Sequence, residues 1–286
     1  MSSLQAQISK ILTWSCVDGP GNRMVLFLQG CNFNCLACHN PHTIGRCDHC
    51  GDCVPACPRD ALTLQEGKVG FDPALCDQCD ICLDVCPIDA NPMVQCFSVE
   101  EVLAQVRAHA AFVSGITLSG GEATMQLPFI RALFAAMADA PDLAHLTRFI
   151  DSNGYLGATA WETVLPATDG VMLDIKAFDP VTHKYLSGRD NTRVLDSARL
   201  LKGAGKLYEV RYLMVPSFTD TDAEAEKLVG FLAELGGDVA VRLNGYRSHG
   251  VWGAAVDWPE MPRDGLEAFA QQLCDAGVAE IRLPVL

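Results

Sequence analysis

From Ser98 onward this chain alternates short apolar runs with longer amphipathic ones, and that alternation restricts the fold more than any other feature. The capping box Ser98-Val99-Glu100-Glu101 predicts a helix to about Phe112. A strand over 116–118 follows and ends in Ser119-Gly120-Gly121-Glu122, before a helix over about 127–138. The pattern continues with strand 148–150 and its turn Asp151-Ser152-Asn153-Gly154, helix 158–165 and strand 171–176. Helix 192–204, strand 207–215, helix 220–235, strand 239–243, helix 263–275 and a short strand 280–283 complete it. Near-continuous apolar strands separated by helices predict an α/β fold, a parallel sheet covered by helices. Counting the run 24–28 gives six main βα units, too few for a closed eight-fold barrel. A partial, open (β/α)6 barrel fits best, with a flat doubly wound sheet as the alternative. In either, the working face lies at the carboxyl ends of the strands, where the polar turns fall, including the one from Asn244 onward.

The cysteines add chemistry to that frame. Cys31-x3-Cys35-x2-Cys38 forms one tight loop directly after the apolar run 24–28. A [4Fe–4S] cluster used only for electron transfer takes four thiolates. Three from one loop leave one iron open, and an open position marks a site that binds substrate, as it does for catalytic zinc. A zinc knuckle borrowing His39 or His42 is the other reading.

Residues 47–96 interrupt the α/β pattern. Cys47-x2-Cys50-x2-Cys53-x3-Cys57-Pro58 is repeated as Cys76-x2-Cys79-x2-Cys82-x3-Cys86-Pro87. This is the bacterial ferredoxin run written twice, in which the fourth cysteine of each run ligates the other cluster. The expected sets are Cys47, Cys50, Cys53, Cys86 and Cys76, Cys79, Cys82, Cys57, with a pair of zinc ribbons as the rival. The segment has few large apolar residues, so ligation must supply much of its stability. The chain thus divides into 1–46 (start of the barrel and cluster loop), 47–96 (a ferredoxin-like insert) and 97–286 (the rest of the barrel). Cys16, Cys96 and Cys274 lie outside every motif and are expected to be small core residues.

The N-terminus has no charged-then-apolar leader pattern, and no apolar run approaches the ~20 residues that span a bilayer. The chain is therefore expected in the cytosol, where fourteen cysteines read as metal ligands rather than disulfides. A net charge of −14 argues against nucleic acid or an anionic membrane as partner. The Asp18-Gly19-Pro20-Gly21 turn is either an ordinary hairpin turn or a shaper of the cluster pocket. Gly120-Gly121 lets backbone approach a ligand, or is simply a tight βα turn. Asp174 and Lys176, two apart on one strand, share a face and either contact a ligand or pair with neighbouring strands. Arg211 is a charge in an apolar strand, hence paired or functional, and its fork suits a carboxylate. No Ser-His-Asp set, HExxH or Walker loop appears.

Together Cys31-x3-Cys35-x2-Cys38, Gly120-Gly121-Glu122, Asp174-Ile175-Lys176 and the partial barrel resemble the radical S-adenosylmethionine (SAM) superfamily. Within it, Asp18-Gly19-Pro20-Gly21, Cys38-His39-Asn40 and the double ferredoxin insert look like glycyl-radical-enzyme activating enzymes. The insert length, Asp151-Ser152-Asn153-Gly154 and Gly188-Arg189-Asp190-Asn191 resemble the YjjW type of activase. The resemblance implies that SAM chelates the open iron of the Cys31/Cys35/Cys38 cluster. One electron then splits it to methionine and a 5′-deoxyadenosyl radical, which takes a Cα hydrogen from a glycine of a partner enzyme. It implies a SAM site lined by Ala37, Cys38, His39, Gly120, Gly121, Glu122, Asp174, Ile175, Lys176 and Arg211. It also implies three [4Fe–4S] clusters, an anaerobic setting, and a flavodoxin or ferredoxin donor feeding the insert, which could otherwise be a docking platform. Two positions depart from the pattern. Relatives often carry an aromatic residue where this chain has Ala37, and a histidine near the ribose where it has Arg247, with His249 nearby. A radical SAM enzyme acting on a small metabolite is the alternative function, and an electron-transfer ferredoxin fused to an inert barrel a third.

Overall fold

Two strands flank the route into the cysteine loop. In the computed structural model, which describes residues 4–284, β1 (Gln5–Ser15) pairs antiparallel with β2 (Arg23–Leu28). The insert adds a hairpin of its own, β3 (Leu62–Gln65) and β4 (Lys68–Phe71). Its turn is Glu66-Gly67, both at positive φ, as tight hairpins require. A single helical turn, α1 (Ile81–Asp84), and β5 (Gln95–Ser98), antiparallel to β1, follow. The capping box opens α2 (Val99–His109): Ser98 Oγ accepts from Glu101 N while the Glu101 carboxylate accepts from Ser98 N. β6 (Gly115–Gly120) then lies parallel to β2, and α3 (Leu127–Asp139) follows. Apart from Arg23 the residues of β2 are apolar, as a strand covered on both faces demands.

Contacts divide the chain into two units: one runs to Asn32 and resumes over Asn40–Thr147, the other holds Phe33–His39 and Arg148 onward. The second unit is built on β7 (Thr147–Ser152), α4 (Ala158–Val164), β8 (Gly170–Ile175), α5 (Pro180–Ser187) and α6 (Thr192–Gly203). β9 (Leu207–Met214), α7 (Asp222–Glu234), β10 (Ala240–Gly245), α8 (Arg263–Asp275) and β11 (Ile281–Arg282) complete it. β7 through β11 pair parallel, each with the next. Side chains alternate along β9. Tyr212 lies on the face under the helices, its ring stacked 6.1 Å from Phe269 of α8, while Glu209 and Arg211 take the opposite face. Among the described residues no helix is long and apolar enough to cross a membrane.

Several expectations change. Helix α5 is absent from the sequence reading because it is short and largely polar. Its caps were nevertheless visible: Asp179 accepts from Thr182 N at 2.8 Å, Pro180 stands at the first turn, and Gly188 closes it in the left-handed conformation. Cys16, Cys96 and Cys274 are exposed, not core residues. Cys16 sits just beyond β1, Cys96 on an end strand, and Cys274 off the Leu266, Phe269, Leu273 stripe that α8 buries. The Asp18–Gly21 turn packs at the start of β2, where Thr117 Oγ1 donates to Asp18 O at 2.6 Å. Arg23, completely buried, donates to Pro20 O at 3.2 Å and Thr117 Oγ1 at 2.7 Å. That is the opposite end of β2 from the cysteine loop, about 16 Å away at ~3.3 Å per residue, so the turn is a hairpin turn.

Candidate cluster and ligand site

At the carboxyl ends of β2 and β6 the glycine turn presses on the backbone that leads into Cys31. Gly121 N donates to Leu28 O at 3.0 Å, Glu122 N to Gly30 O at 2.8 Å, and Cys31 N to Ile44 O at 3.2 Å. A Cβ on Gly121 would stand 2.4 Å from Gly30 O and 2.6 Å from Thr43 O, distances no side chain tolerates. Gly120, at φ +123°, would meet Leu28 N and O at 2.3 Å. The glycines therefore serve close packing of the chain on itself. The Glu122 carboxylate is buried and accepts from Thr124 N at 3.0 Å and Thr124 Oγ1 at 2.6 Å. Its role here is to cap the following turn.

In the second unit Cys35, Cys38, Asp174 and Lys176 are electrostatic neighbours. Burial pushes the Cys35 thiol up to about 12, against the pull of the Lys176 ammonium. A metal must therefore displace its proton. Lys176 Nζ donates to Asp174 Oδ2 at 2.6 Å. Burial works against the ammonium, but Asp174 and Cys35 outweigh it and hold its pKa above the ordinary lysine value. Ile175 is fully buried, and its side chain lies on the face of β8 opposite Asp174 and Lys176. Arg211 Nη1 lies 3.2 Å from Asp151 Oδ2, and its Nε donates to Glu209 Oε1 at 2.8 Å. Asp174, Arg211, Arg242 and Arg282 stand in one register row across β8 to β11. The sequence pattern gave no sign of that row, because strand register creates it.

Ala37 is buried with Val215, Tyr246 and Ala255, with Trp258 and Phe218 packed against them. Burial lowers the His39 imidazole despite its hydrogen bond to the Arg247 backbone. The Arg247 side chain is occupied elsewhere, donating to Met261 O at 3.0 Å and to Glu260 at 3.3 Å. Lys176, His249 and Arg247 are all within electrostatic reach of His39 and lower it further.

The insert repeats itself in three dimensions. His49 and Gln78, Gly51 and Asp80, and Asp60 and Asp89 are matched pairs at positive φ. The twist turns backbone N–H groups onto sulfur. His49 N donates to Cys47 Sγ and Gln78 N to Cys76 Sγ at 3.4 Å; Ala61 N donates to Cys57 Sγ and Ala90 N to Cys86 Sγ at 3.3 Å. Such donors favour thiolate over thiol, which suits cluster ligands. Cys47, Cys50 and Cys86 act electrostatically on the Cys53 thiol, and Cys53 and Cys57 on that of Cys82. Cys57, Cys76, Cys79 and Cys82 line one pocket together with Leu62, Phe71 and Met93. Burial raises the Cys82 thiol to about 11. Among the described residues no three Cys, His, Asp or Glu side chains converge as ligands of a single ion do.

A model of the radical SAM superfamily matches residues 25–232. The chain is 31% identical over 228 residues to the pyruvate formate-lyase-activating enzyme of Streptococcus mutans, covering 78% of this chain and 70% of that protein. It is 27% identical over 254 residues to the pyruvate formate-lyase 1-activating enzyme of Escherichia coli, covering 87% and 83%. Among solved structures, a radical SAM methyltransferase from Sphaerobacter thermophilus superposes with a TM-score of 0.59 at 13% identity, over 99% of this chain and 77% of that one. QueE from Escherichia coli gives 0.55 at 13% identity, over 99% and 95%. These structures share the α/β fold with its parallel sheet.

Proposed function

The chain belongs to the radical SAM superfamily, and from that premise we propose that it activates a glycyl radical enzyme in an anaerobic cytosol. The observation that carries this reading is the extent of the likeness to pyruvate formate-lyase-activating enzymes, 78% of this chain at 31% identity. The fold is then a partial (β/α)6 barrel, and Cys31, Cys35 and Cys38 supply the three thiolates of a [4Fe–4S] cluster. When bound, that cluster and SAM supply a one-electron reductive cleavage whose radical product takes a glycine Cα hydrogen.

The chain's own residues do the rest. Lys176, just past β8, and Arg211, within β9, are the cations that would hold SAM's carboxylate. Asp174, steadied by Lys176, offers an acceptor for a ribose hydroxyl. Backbone from Ala37 to His39 and at Ile175 serves the adenine, since Ala37 has no ring to offer. Gly120, Gly121 and Glu122 shape the turn next to Cys31 rather than gripping the ligand with side chains. Mixing the reduced protein, SAM and the candidate partner enzyme without oxygen should give an EPR doublet from a glycyl radical, with methionine and 5′-deoxyadenosine as products. SAM cleavage coupled to loss of a small metabolite, with no doublet, would overturn this reading.

We assign the insert two further [4Fe–4S] clusters, Cys47, Cys50, Cys53, Cys86 and Cys57, Cys76, Cys79, Cys82, as in the YjjW type of activase. What supports them is the neighbour relations of the thiols and the paired N–H donors to sulfur. They relay electrons from a flavodoxin or ferredoxin. Cys79 is exposed, and Cys79→Ala should slow reduction of the Cys31/Cys35/Cys38 cluster by the protein donor about tenfold or more. Its reduction by dithionite should be unaffected. Equal rates in variant and parent with the protein donor would leave the insert as a docking platform.

A further inference from the structure

Cys35 is held in place by backbone on both sides. Asn34 N donates to Ser187 O at 3.0 Å and Leu36 N to Leu186 O at 3.0 Å. Those carbonyls belong to the last turn of α5, where a helix has no internal partner for them. The Trp252 indole N–H donates to the carbonyl of Cys35 itself at 3.0 Å. The peptide that follows Cys35 is thereby fixed at its oxygen by Trp252 and at its nitrogen by Leu186. The stretch carrying Trp252 lies flat on the loop: a Cβ on Gly250 would come within 2.7 Å of His39 O, and one on Gly253 within 3.4 Å of the Leu36 side chain.

The last turn of α5 is secured in turn by His183. Its imidazole is completely buried, with Nδ1 2.9 Å from Arg189 O and 3.1 Å from Ser187 Oγ. A carbonyl only accepts, so Nδ1 carries the proton. The same ring packs edge-on against Phe33, 5.8 Å between centroids at 85°. His183 thus ties down the Ser187 hydroxyl and the Arg189 carbonyl at the end of α5, beside the carbonyls that receive the loop, and packs on an aromatic residue of the loop itself. Nothing in the acid–base or ligand chemistry above uses His183 or Trp252.

We propose that His183 and Trp252 are positioning residues that set the direction of the Cys35 Cα–Cβ bond, and with it the place where its sulfur meets iron. Reactive sites need their groups held to about half an ångström, and a loop with an open-site cluster has no fourth thiolate to hold it. This rests on Cys35 being a cluster ligand.

The test uses the anaerobically reconstituted protein. Trp252→Phe keeps a ring and removes the donor. His183→Phe keeps packing on Phe33 and removes the Nδ1–H, whereas His183→Asn offers an amide N–H at the same place. In Trp252→Phe, hydrogen exchange of the peptide spanning Asn34 to Leu36 should quicken about three- to tenfold, the worth of one hydrogen bond. Iron content should stay that of the parent, while the EPR line shape of the reduced cluster with SAM should change. His183→Phe should behave alike, and His183→Asn should recover most of the exchange protection, short of what the ring on Phe33 adds. Unchanged exchange and unchanged line shape in Trp252→Phe would overturn the proposal, and so would a His183→Asn variant as impaired as His183→Phe. Should His183→Phe not fold, Trp252→Phe, altered at a half-buried position, decides alone. A parent protein that gains no iron at Cys35 would sink the cluster reading instead, and the exchange measurement would still judge the seat.

Discussion

Changing Cys35 to alanine is expected to lower the SAM cleavage proposed above by well over 100-fold while leaving a folded chain with whatever iron the insert holds. Residues that only support a metal ligand typically cost 10–100-fold when removed, and loss of a ligand must exceed that. The site offers no substitute. The ionisable groups that act on Cys35 are Lys176, Cys38 and Asp174. Lysine at its raised pKa stays protonated and cannot bind iron, and Asp174 is tied to it at 2.6 Å. The fold should survive because the loop is held by main-chain groups, Asn34 N and Leu36 N on the carbonyls of α5, which alanine retains. Iron analysis should show the loss of one cluster's worth, and product analysis no 5′-deoxyadenosine above background. Retained cleavage with iron loss confined to the insert would mean that the reactive cluster is elsewhere.

The parts legible in the sequence are those fixed by local pattern. The helix α8 (Arg263–Asp275) falls on its expected bounds because an apolar stripe and a clear start coincide. The cysteine loop stands out because its spacing needs no tertiary knowledge, and the fold brings Cys35 and Cys38 within electrostatic reach of each other. What escaped depends on partners distant in sequence. β3 and β4 are too polar to stand out, since their neighbours are thiols and a small cluster of Leu62, Val69 and Phe71. Helix α5 is held by Glu224 from α7, whose carboxylate accepts from Phe178 N at 2.7 Å and Asp179 N at 2.6 Å. Its eight residues could not announce that. Cys16, Cys96 and Cys274 were misplaced because a free cysteine is usually buried, and only the fold reveals that these three face outward. Glu122 stood out for its motif, yet its carboxylate is used locally, on Thr124. The register row of Asp174, Arg211, Arg242 and Arg282 is the clearest limit of sequence reading, since a slip of one residue in any strand would dissolve it.

That row leads to the largest stability effect. Glu209 is completely buried and accepts from Arg211 Nε at 2.8 Å, Arg242 Nε at 3.2 Å and Arg282 Nη1 at 2.6 Å. One carboxylate thus separates three guanidinium groups. Glu209→Gln keeps the shape and removes the charge, leaving the arginines to repel one another. Breaking a buried ion pair from one side costs about 3–5 kcal/mol, and the same loss is expected here in urea unfolding at neutral pH. Arg211 would keep Asp151 but lose Glu209, and with Arg211 in the SAM-binding role proposed above the KM for SAM should rise. The effect has a defined pH dependence. Burial alone would raise the Glu209 carboxyl, but Arg211 and Arg242 overrule it and hold it below the usual glutamate range. The folded chain then keeps this group ionised to lower pH than the unfolded chain does. Its contribution is whole above the unfolded value of ~4.3 and fades as pH falls through the lower folded one. The gap between parent and variant should therefore be flat from about pH 6 to 8 and narrow only below roughly pH 4. A gap below about 1 kcal/mol at neutral pH, or one that closes already between pH 6 and 8, would show that Glu209 does not hold the arginines apart.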